Sequence, residues 1–276
     1  MSDLILHHYP TSPFAEKIRL ILGHKQLAWK SVFIPMIMPK PELTALTGGY
    51  RKTPVLQIGA DIYCDTSLIC DVLEHIAPTP TLYPETVKGA ARIVAQWADG
   101  ALFSAAMAYN FQPAGVAQVF AGAPAEGVQA FVADRAAMRG GAARMSSTDA
   151  AATYKSYLRR IANMLDGQDF VMGNTPCVAD FACYHPLWFT AKRVPVMSDI
   201  LNATPSVLAW MARMANLFAQ GFRFDRKTLD NPGLMATTFA SQIGESFLLI
   251  VPILGVTAVL AVLASGATGG YFFSLQ

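Results

Sequence analysis

In the first 77 residues, short apolar runs typical of strands alternate with stretches whose apolar residues recur at helical spacing. Leu4–His8 is a short apolar run of the kind that forms a buried strand, and Pro13–His24 then carries apolar residues at helical spacing. Further short apolar runs and a second helical stretch follow before residue 77. A mixed α/β domain is therefore expected at residues 1–77. Its predicted elements are strands at Leu4–His8, Trp29–Phe33, Val55–Ile58 and Ile62–Cys64, and helices at Pro13–His24 and Asp65–Ile76.

The pattern changes after residue 77. Residues 78–88 contain three prolines and predict a linker. From residue 89 to about residue 225 apolar positions recur at helical spacing almost throughout, which predicts an all-α domain, and residues 226–245 are expected to connect it to the tail. The predicted helices are Ala91–Ala108, Val128–Met138, Ala150–Leu165, Cys177–Phe189 and Pro205–Phe218, with a Gly/Pro break at Phe111–Gly127.

The tail at residues 246–276 contains no charged residue. Residues 246–265 form a run of about 20 residues, enough to cross the ~30 Å hydrocarbon core of a bilayer at 1.5 Å per residue. Pro252 and Gly255 interrupt the run, but both residue types are more frequent in membrane helices than in soluble ones. The tail therefore predicts a C-terminal transmembrane helix. The basic residues Arg223, Arg226 and Lys227 before it would keep the folded domains on the cytoplasmic face.

Two other interpretations of the tail remain open. It could be a soluble helix, split at Pro252, that packs over the preceding domain, although a soluble helix normally has a polar face and neither half of this run has one. It could also be a fused segment, or a shifted reading frame, that begins near Met235.

Composition excludes several functional classes. A net charge of +2 without any basic run gives no case for nucleic-acid binding. The four cysteines form no C-x-x-C pair and no zinc-ligand spacing, which predicts reduced thiols such as the cytosol maintains. His7, His8 and His185 have no partner at metal-ligand spacing, so they are expected to be structural and no metal site is predicted.

Candidate chemistry begins where the first strand gives way to its helix. Ser12 stands at the N-cap position and Pro13 at the first helical position. Several backbone N–H groups point outward there, and the helix dipole favours negative charge, so a thiolate, carboxylate or phosphate would be stabilised. Most Ser-Pro pairs at helix starts are caps and nothing more, and that interpretation stays open beside the functional one.

Three segments, in this order and spacing, resemble the N-terminal thioredoxin-like domain of the glutathione transferase superfamily. They are the strand-turn-helix Tyr9–Leu22, the segment Lys52–Leu56 and the segment Asp65–Ile69. The helical pattern of residues 89–225 is similar to that family's second domain. The resemblance implies an α/β thioredoxin-like domain followed by an all-α helical bundle domain, with glutathione as co-substrate. It leaves the hydrophobic tail unexplained.

The resemblance also implies roles for individual residues. Pro54 is expected to be cis, so that the backbone of Val55 pairs with the cysteinyl part of glutathione. Asp65 and Thr66 are expected to receive the γ-glutamyl end. The glutathione sulfur then points at Ser12, which acts as a hydrogen-bond donor and lowers the thiol pKa, with the Tyr9 phenol as second candidate.

Two stretches depart from the family pattern. Thr47–Lys52 stands where relatives often carry an Asn-Pro pair, and Arg51 or Lys52 there is a weak candidate for the glycine carboxylate of glutathione. In the helical domain Cys177 occupies the position of a capping hydroxyl three residues before Asp180, which is expected to be a folding element. Trp97, Phe103, Tyr109 and Phe111 either line a pocket for an apolar substrate or pack between helices; packing is the default expectation.

Two functions from different classes follow. The first is a glutathione transferase that conjugates the glutathione thiolate to a small apolar electrophile and is tethered to a membrane by residues 246–265. The alternative is a non-catalytic accessory or docking subunit of a membrane protein complex, because the Thr47–Lys52 loop departs from the family pattern and soluble transferases do not need a membrane anchor. A homodimer is a family expectation only.

Overall fold

The computed structural model describes residues 3–140 and 145–221. The predicted connector at 226–245 and the predicted membrane helix at 246–265 lie outside these residues. Within the part of the chain that is described, no helix is long and apolar enough to cross a membrane. All the described residues belong to one compact unit.

A four-stranded sheet forms the centre of the N-terminal part, with the strand order β2-β1-β3-β4. β1 and β2 are parallel because α1 crosses over between them, whereas β3 is antiparallel to both β1 and β4. Helices α1 and α3 pack together and contribute to the large core, while α2 contributes to a smaller cluster with β3. The elements are β1 (Leu4–His8), α1 (Pro13–His24), β2 (Lys30–Phe33), α2 (Pro41–Thr47), β3 (Val55–Ile58), β4 (Asp61–Cys64) and α3 (Thr66–Ile76).

The rest of the described chain is helical, and α1 packs against its helices α9 and α10. A π-helical segment at Ala98–Leu102 joins α4 to α5, and another at Phe189–Arg193 extends α9; a 3₁₀ segment follows at Pro195–Ala203. The α-helices are α4 (Lys88–Trp97), α5 (Phe103–Asn110), α6 (Pro113–Val119), α7 (Ala125–Arg139), α8 (Ser147–Met164), α9 (Val178–Trp188) and α10 (Pro205–Gly221).

Helix α9 is buried along its whole length, and Asp180 fixes its start. One carboxylate oxygen of Asp180 accepts hydrogen bonds from Val171 N (2.8 Å) and Trp210 Nε1 (2.9 Å), and the other accepts from Cys177 N (3.0 Å). Cys177 is the N-cap residue, and its side chain and that of Asp180 form a reciprocal capping box. These contacts confirm that Asp180 is a folding element.

Two short helices have no counterpart among the elements that the sequence predicts. α2 begins with Pro41 in its first turn and buries Leu43 against Ile34 and Val55, and it ends at Gly48, whose φ of 64° suits a glycine. α6 lies inside the predicted Gly/Pro break and likewise begins at a proline, Pro113. Both have seven residues, too few for helical periodicity to show, and tertiary contacts decide their structure.

Candidate functional site

The sheet register brings three of the predicted segments to one edge. His7 of β1 lies opposite Val55 of β3, and Val55 lies opposite Cys64 of β4. Because β3 is antiparallel to both neighbours, the chain leaves β1, enters β3 and leaves β4 at the same end of the sheet. The residues just beyond this end are the Tyr9–Ser12 turn, Pro54 and Asp65. We call this edge the candidate cleft.

Ser12 caps α1 as its sequence position predicts. Its Oγ accepts a hydrogen bond from Ala15 N at 3.2 Å, and its backbone N donates to Tyr9 O at 3.2 Å. The residue is only 2% exposed. Its role as a cap is therefore confirmed, and its predicted role towards a sulfur atom stays a prediction.

The side chain of Arg19 stabilises the turn that precedes Ser12. Its buried guanidinium donates to Pro10 O (3.1 Å), to the Glu16 carboxylate (2.9 Å from Nε) and to His8 Nδ1 (3.1 Å). Burial, with the charge of Arg19, keeps the pKa of His8 well below its usual value, so His8 is neutral. Its Nδ1 is then the acceptor and its Nε2–H donates to Ser31 Oγ (2.7 Å). His8 is therefore structural, as predicted.

Asp65 and Thr66 form the opposite side of the candidate cleft, at the start of α3. Asp65 has a φ of 78° and a ψ of 132°, an unusual conformation for a residue other than glycine, and its carboxylate accepts from Ser67 N at 2.8 Å. Such a backbone conformation costs about 1–3 kcal/mol of free energy, and residues that adopt it concentrate at functional sites. Asp65 is exposed, whereas Thr66 is buried.

The Thr53–Pro54 peptide bond is cis, as the family resemblance implies. Val55, the next residue, is fully buried and lies between β1 and β4. Its side chain lies in the apolar cluster with Ile34 and Leu43, so the pairing with glutathione that the resemblance implies stays a prediction for its backbone.

A buried lysine that the sequence pattern does not single out lies beside Thr53. Lys40 Nζ donates to Thr53 Oγ1 (3.2 Å) and Arg51 O (3.3 Å), and it lies 5.6 Å from the centroid of the Tyr9 ring. Burial, reinforced by Arg135, lowers the pKa of Lys40 to about 8. A single lysine in a Met/Pro-rich loop gives no pattern, so only the tertiary structure identifies it.

A second buried lysine lies behind Thr66. Lys17 Nζ forms a salt bridge with Asp99 (2.6 Å) and lies 3.4 Å from Thr66 Oγ1, and Asp99 accepts from His185 Nε2 at 2.9 Å. Burial by itself lowers the pKa of Lys17, but the acidic groups beside it, Asp99 among them, outweigh burial and raise it. Burial lowers the pKa of His185, so a neutral His185 donates its Nε2–H to Asp99.

The aromatic residues that were candidates for a substrate pocket separate in space. Trp97 packs on Tyr157, Tyr109 on Tyr154, and Phe111 on Phe131 and Phe189, all as contacts within the helical part of the chain. Phe103 alone of the four contacts Phe14, two residues after Ser12, at 4.7 Å between ring centroids. Ordinary packing, the default expectation, therefore describes the other three.

Of the remaining candidates, Arg51 forms an ion pair with Asp134 of α7, and Lys52 is exposed. Among the described residues, no group of three or more histidine, cysteine, aspartate or glutamate side chains is arranged to hold a metal ion.

Comparison with known proteins identifies the family. Residues 6–81 match the glutathione S-transferase N-terminal domain, and residues 146–217 match the glutathione S-transferase C-terminal domain. A GST-like protein from Pseudomonas syringae is 43% identical, with a TM-score of 0.63 over 79% of this chain and 68% of that one.

Two other proteins are similar to this chain, one at lower identity and one over a shorter segment. A glutathione S-transferase from Methylobacterium radiotolerans, solved in complex with glutathione sulfonate, is 21% identical with a TM-score of 0.56, over 82% of this chain and 99% of that one, and shows the fold alone. The pyrimidodiazepine synthase of Drosophila melanogaster is 33% identical over 76 residues, which are 26% of this chain and 31% of that protein. The two domain matches and the Pseudomonas relative together show that this chain belongs to the glutathione transferase superfamily.

Proposed function

We propose that the protein binds glutathione in the candidate cleft and conjugates its sulfur to a small electrophile. The observation that carries this proposal is the register His7–Val55–Cys64, which brings the Ser12 turn, Pro54 and Asp65 to one end of the sheet. One edge of the sheet is therefore bordered by three features that are distant in sequence: the cap residue Ser12, the cis-proline Pro54 and the start of α3 at Asp65.

The γ-glutamyl end lies at the start of α3. The carboxylate of Asp65 attracts the ligand's ammonium group, and the N-terminal N–H groups of α3 together with the Thr66 hydroxyl take its carboxylate. Lys17 Nζ approaches Thr66 Oγ1 as a donor, so the hydroxyl keeps its own proton for an acceptor on the ligand.

The cysteinyl and glycyl parts lie along the other side. The backbone beside Pro54 pairs with the cysteinyl unit, as predicted for Val55, and Lys40 attracts the glycine carboxylate. An ammonium group has three N–H donors, and the contacts with Thr53 and Arg51 use two of them. Arg51, the weaker candidate from the sequence, already pairs with Asp134.

The sulfur lies next to Ser12. A hydroxyl can accept from Ala15 N and still donate its own proton, so the Ser12 O–H stabilises the thiolate that forms when glutathione releases its proton to water. The thiolate attacks the electrophilic carbon, a sulfur–carbon bond forms and the leaving group departs with the bonding electrons. Because Ser12 is 2% exposed, the side chains around the turn must shift when the sulfur binds. The half-buried rings of Phe14 and Phe103 offer an apolar surface for the electrophile.

A direct test uses glutathione affinity and turnover together. Wild-type protein is expected to be retained on immobilised glutathione and to conjugate 1-chloro-2,4-dinitrobenzene. Ser12→Ala should bind but lose roughly 10²-fold in kcat, as when one donor to a developing anion is removed. Tyr9→Phe tests the second candidate, and Ser206→Ala, at an exposed serine of α10, is the matched control. Absence of both retention and turnover in the wild type contradicts the proposal and favours the accessory-subunit alternative.

The uncharged sequence of residues 246–276 supports a membrane tether, with the folded domains on the cytoplasmic face. Carbonate extraction of membranes tests it, because release into the soluble fraction rules out a spanning helix. Co-purification of membrane protein subunits with a catalytically silent chain would favour the docking function. Size-exclusion chromatography of the chain tests the expected homodimer.

A further inference from the structure

Helix α7 lies almost entirely at the surface, but the carboxylate of its Asp134 is buried and contacts the N-terminal part of the chain. The residues of α7 are exposed or half-buried, yet the side chain of Asp134 is only 7% exposed. What covers Asp134 is the segment around α2, which begins 93 residues earlier in the chain. A carboxylate is expensive to bury unless it is paired, and Asp134 is paired with groups on both sides of α2.

Two consecutive residues of α7 bracket α2. The Asp134 carboxylate accepts from Met38 N (3.0 Å), which precedes α2, and from the guanidinium of Arg51, which follows it. Arg135 donates to Met36 O at 2.7 Å. We call these contacts the α7 clamp. The clamp fixes the chain on both sides of α2, and Lys40 stands between the two fixed points.

The clamp reaches Lys40 through one intermediate residue. Asp134 holds the side chain of Arg51, and the backbone carbonyl of Arg51 accepts from Lys40 Nζ at 3.3 Å. Asp134 also supplies the negative charge in a group that otherwise contains the cations of Lys40, Arg51 and Arg135. Without it the three cations repel one another, and the Lys40 ammonium would move away from them towards water.

We propose that Asp134 is a positioning residue that holds Lys40 in place for the glycine carboxylate of glutathione. Asp134 itself does not touch the ligand; it acts through Arg51 and the backbone at Met38. The inference rests on the proposed function, because it assigns the glycine end of glutathione to Lys40. It adds that the helical part of the chain controls this end of the ligand.

Two ligands that differ only by the glycine unit provide the test. Dissociation constants of glutathione and of γ-glutamylcysteine are measured by calorimetry for the wild type and for Asp134→Asn. The variant is expected to weaken glutathione binding about ten-fold, as for loss of one charge-assisted contact, and γ-glutamylcysteine binding less than two-fold. Lys40→Met should reproduce this pattern, and the double variant should be no weaker than Lys40→Met alone. Glu126→Gln, at an exposed carboxylate of the same helix, is the control and should bind both ligands as the wild type does.

The outcomes separate the inference from the function on which it rests. Equal weakening of both ligands by Asp134→Asn would show general loosening of the cleft and overturn the positioning role, as would no weakening of either. In both cases glutathione binding by the wild type still supports the proposed function. Wild-type protein that binds neither ligand overturns the proposed function and this inference together.

Discussion

Lys40 is expected to make ligand binding depend on pH in the neutral range. Without ligand, burial and the nearby Arg135 and Arg51 disfavour its charged form and lower its pKa to about 8, which Asp134 only partly opposes. A carboxylate beside Lys40 favours the charged form. Binding therefore needs the protonated lysine, and affinity falls as pH rises through 8.

The size of the effect follows from that pKa. If only protonated Lys40 takes the carboxylate, the fraction available falls from about nine-tenths at pH 7.0 to about one-quarter at pH 8.5, so Kd rises about four-fold. S-methylglutathione is the suitable ligand for calorimetry, because its blocked sulfur does not titrate. Deprotonation of its amino group is common to all variants and cancels when they are compared.

Lys40→Arg provides the matched control. Arginine stays charged throughout this range, so the variant should lose most of the four-fold change whatever its affinity at pH 7.0. Parallel pH profiles for the wild type and Lys40→Arg would refute the reasoning, since the titrating group would then lie elsewhere. A flat profile in the wild type would refute it equally.

Three further substitutions test the helical part of the fold and the turn before Ser12. Asp180→Asn replaces one carboxylate oxygen by an NH₂ group that faces buried N–H donors. The free energy of unfolding, measured in urea, should therefore be about 3 kcal/mol lower than in the wild type. Asp166→Asn, at an exposed aspartate, is the control. Gly115→Ala would place its Cβ 1.8 Å from the carbonyl oxygen of Asn110, so thermal unfolding should show a loss of about 2 kcal/mol or more. Arg19→Lys cannot serve Pro10 O, Glu16 and His8 together and should raise the Kd for glutathione several-fold, measured by calorimetry.

Local signals in the sequence were sufficient for the elements that border the candidate cleft. Ser12 and Pro13 mark the start of α1, and Asp65 caps α3, because the chemistry of a helix start is contained in two or three adjacent residues. The strands around Val55 follow from short apolar runs. Periodicity and capping therefore predicted the framework of this part closely.

The buried charges could not be predicted in that way. Lys17 and Asp99 are 82 positions apart, and His185 is a further 86 positions from Asp99, so no window of sequence contains the group. A lysine in an amphipathic helix predicts a solvated face, and this expectation fails for Lys17 because a carboxylate from the helical part meets it. Asp134 fails to stand out for the same reason, since α7 has the pattern of a surface helix.

The positions of the two buried lysines bear on the proposed glutathione-binding cleft. Lys17 lies behind Thr66 at one side of the candidate cleft, and Lys40 lies beside Thr53 at the other. Burying an ammonium group is costly, and Asp99 compensates the charge of Lys17, whereas Lys40 Nζ donates to a hydroxyl and a carbonyl oxygen. Glutathione carries a carboxylate at each end and a thiol between them. The Lys40 ammonium at one side and the Thr66 hydroxyl at the other, with the start of α1 and Ser12 nearby, suit that distribution and support the proposed glutathione-binding cleft.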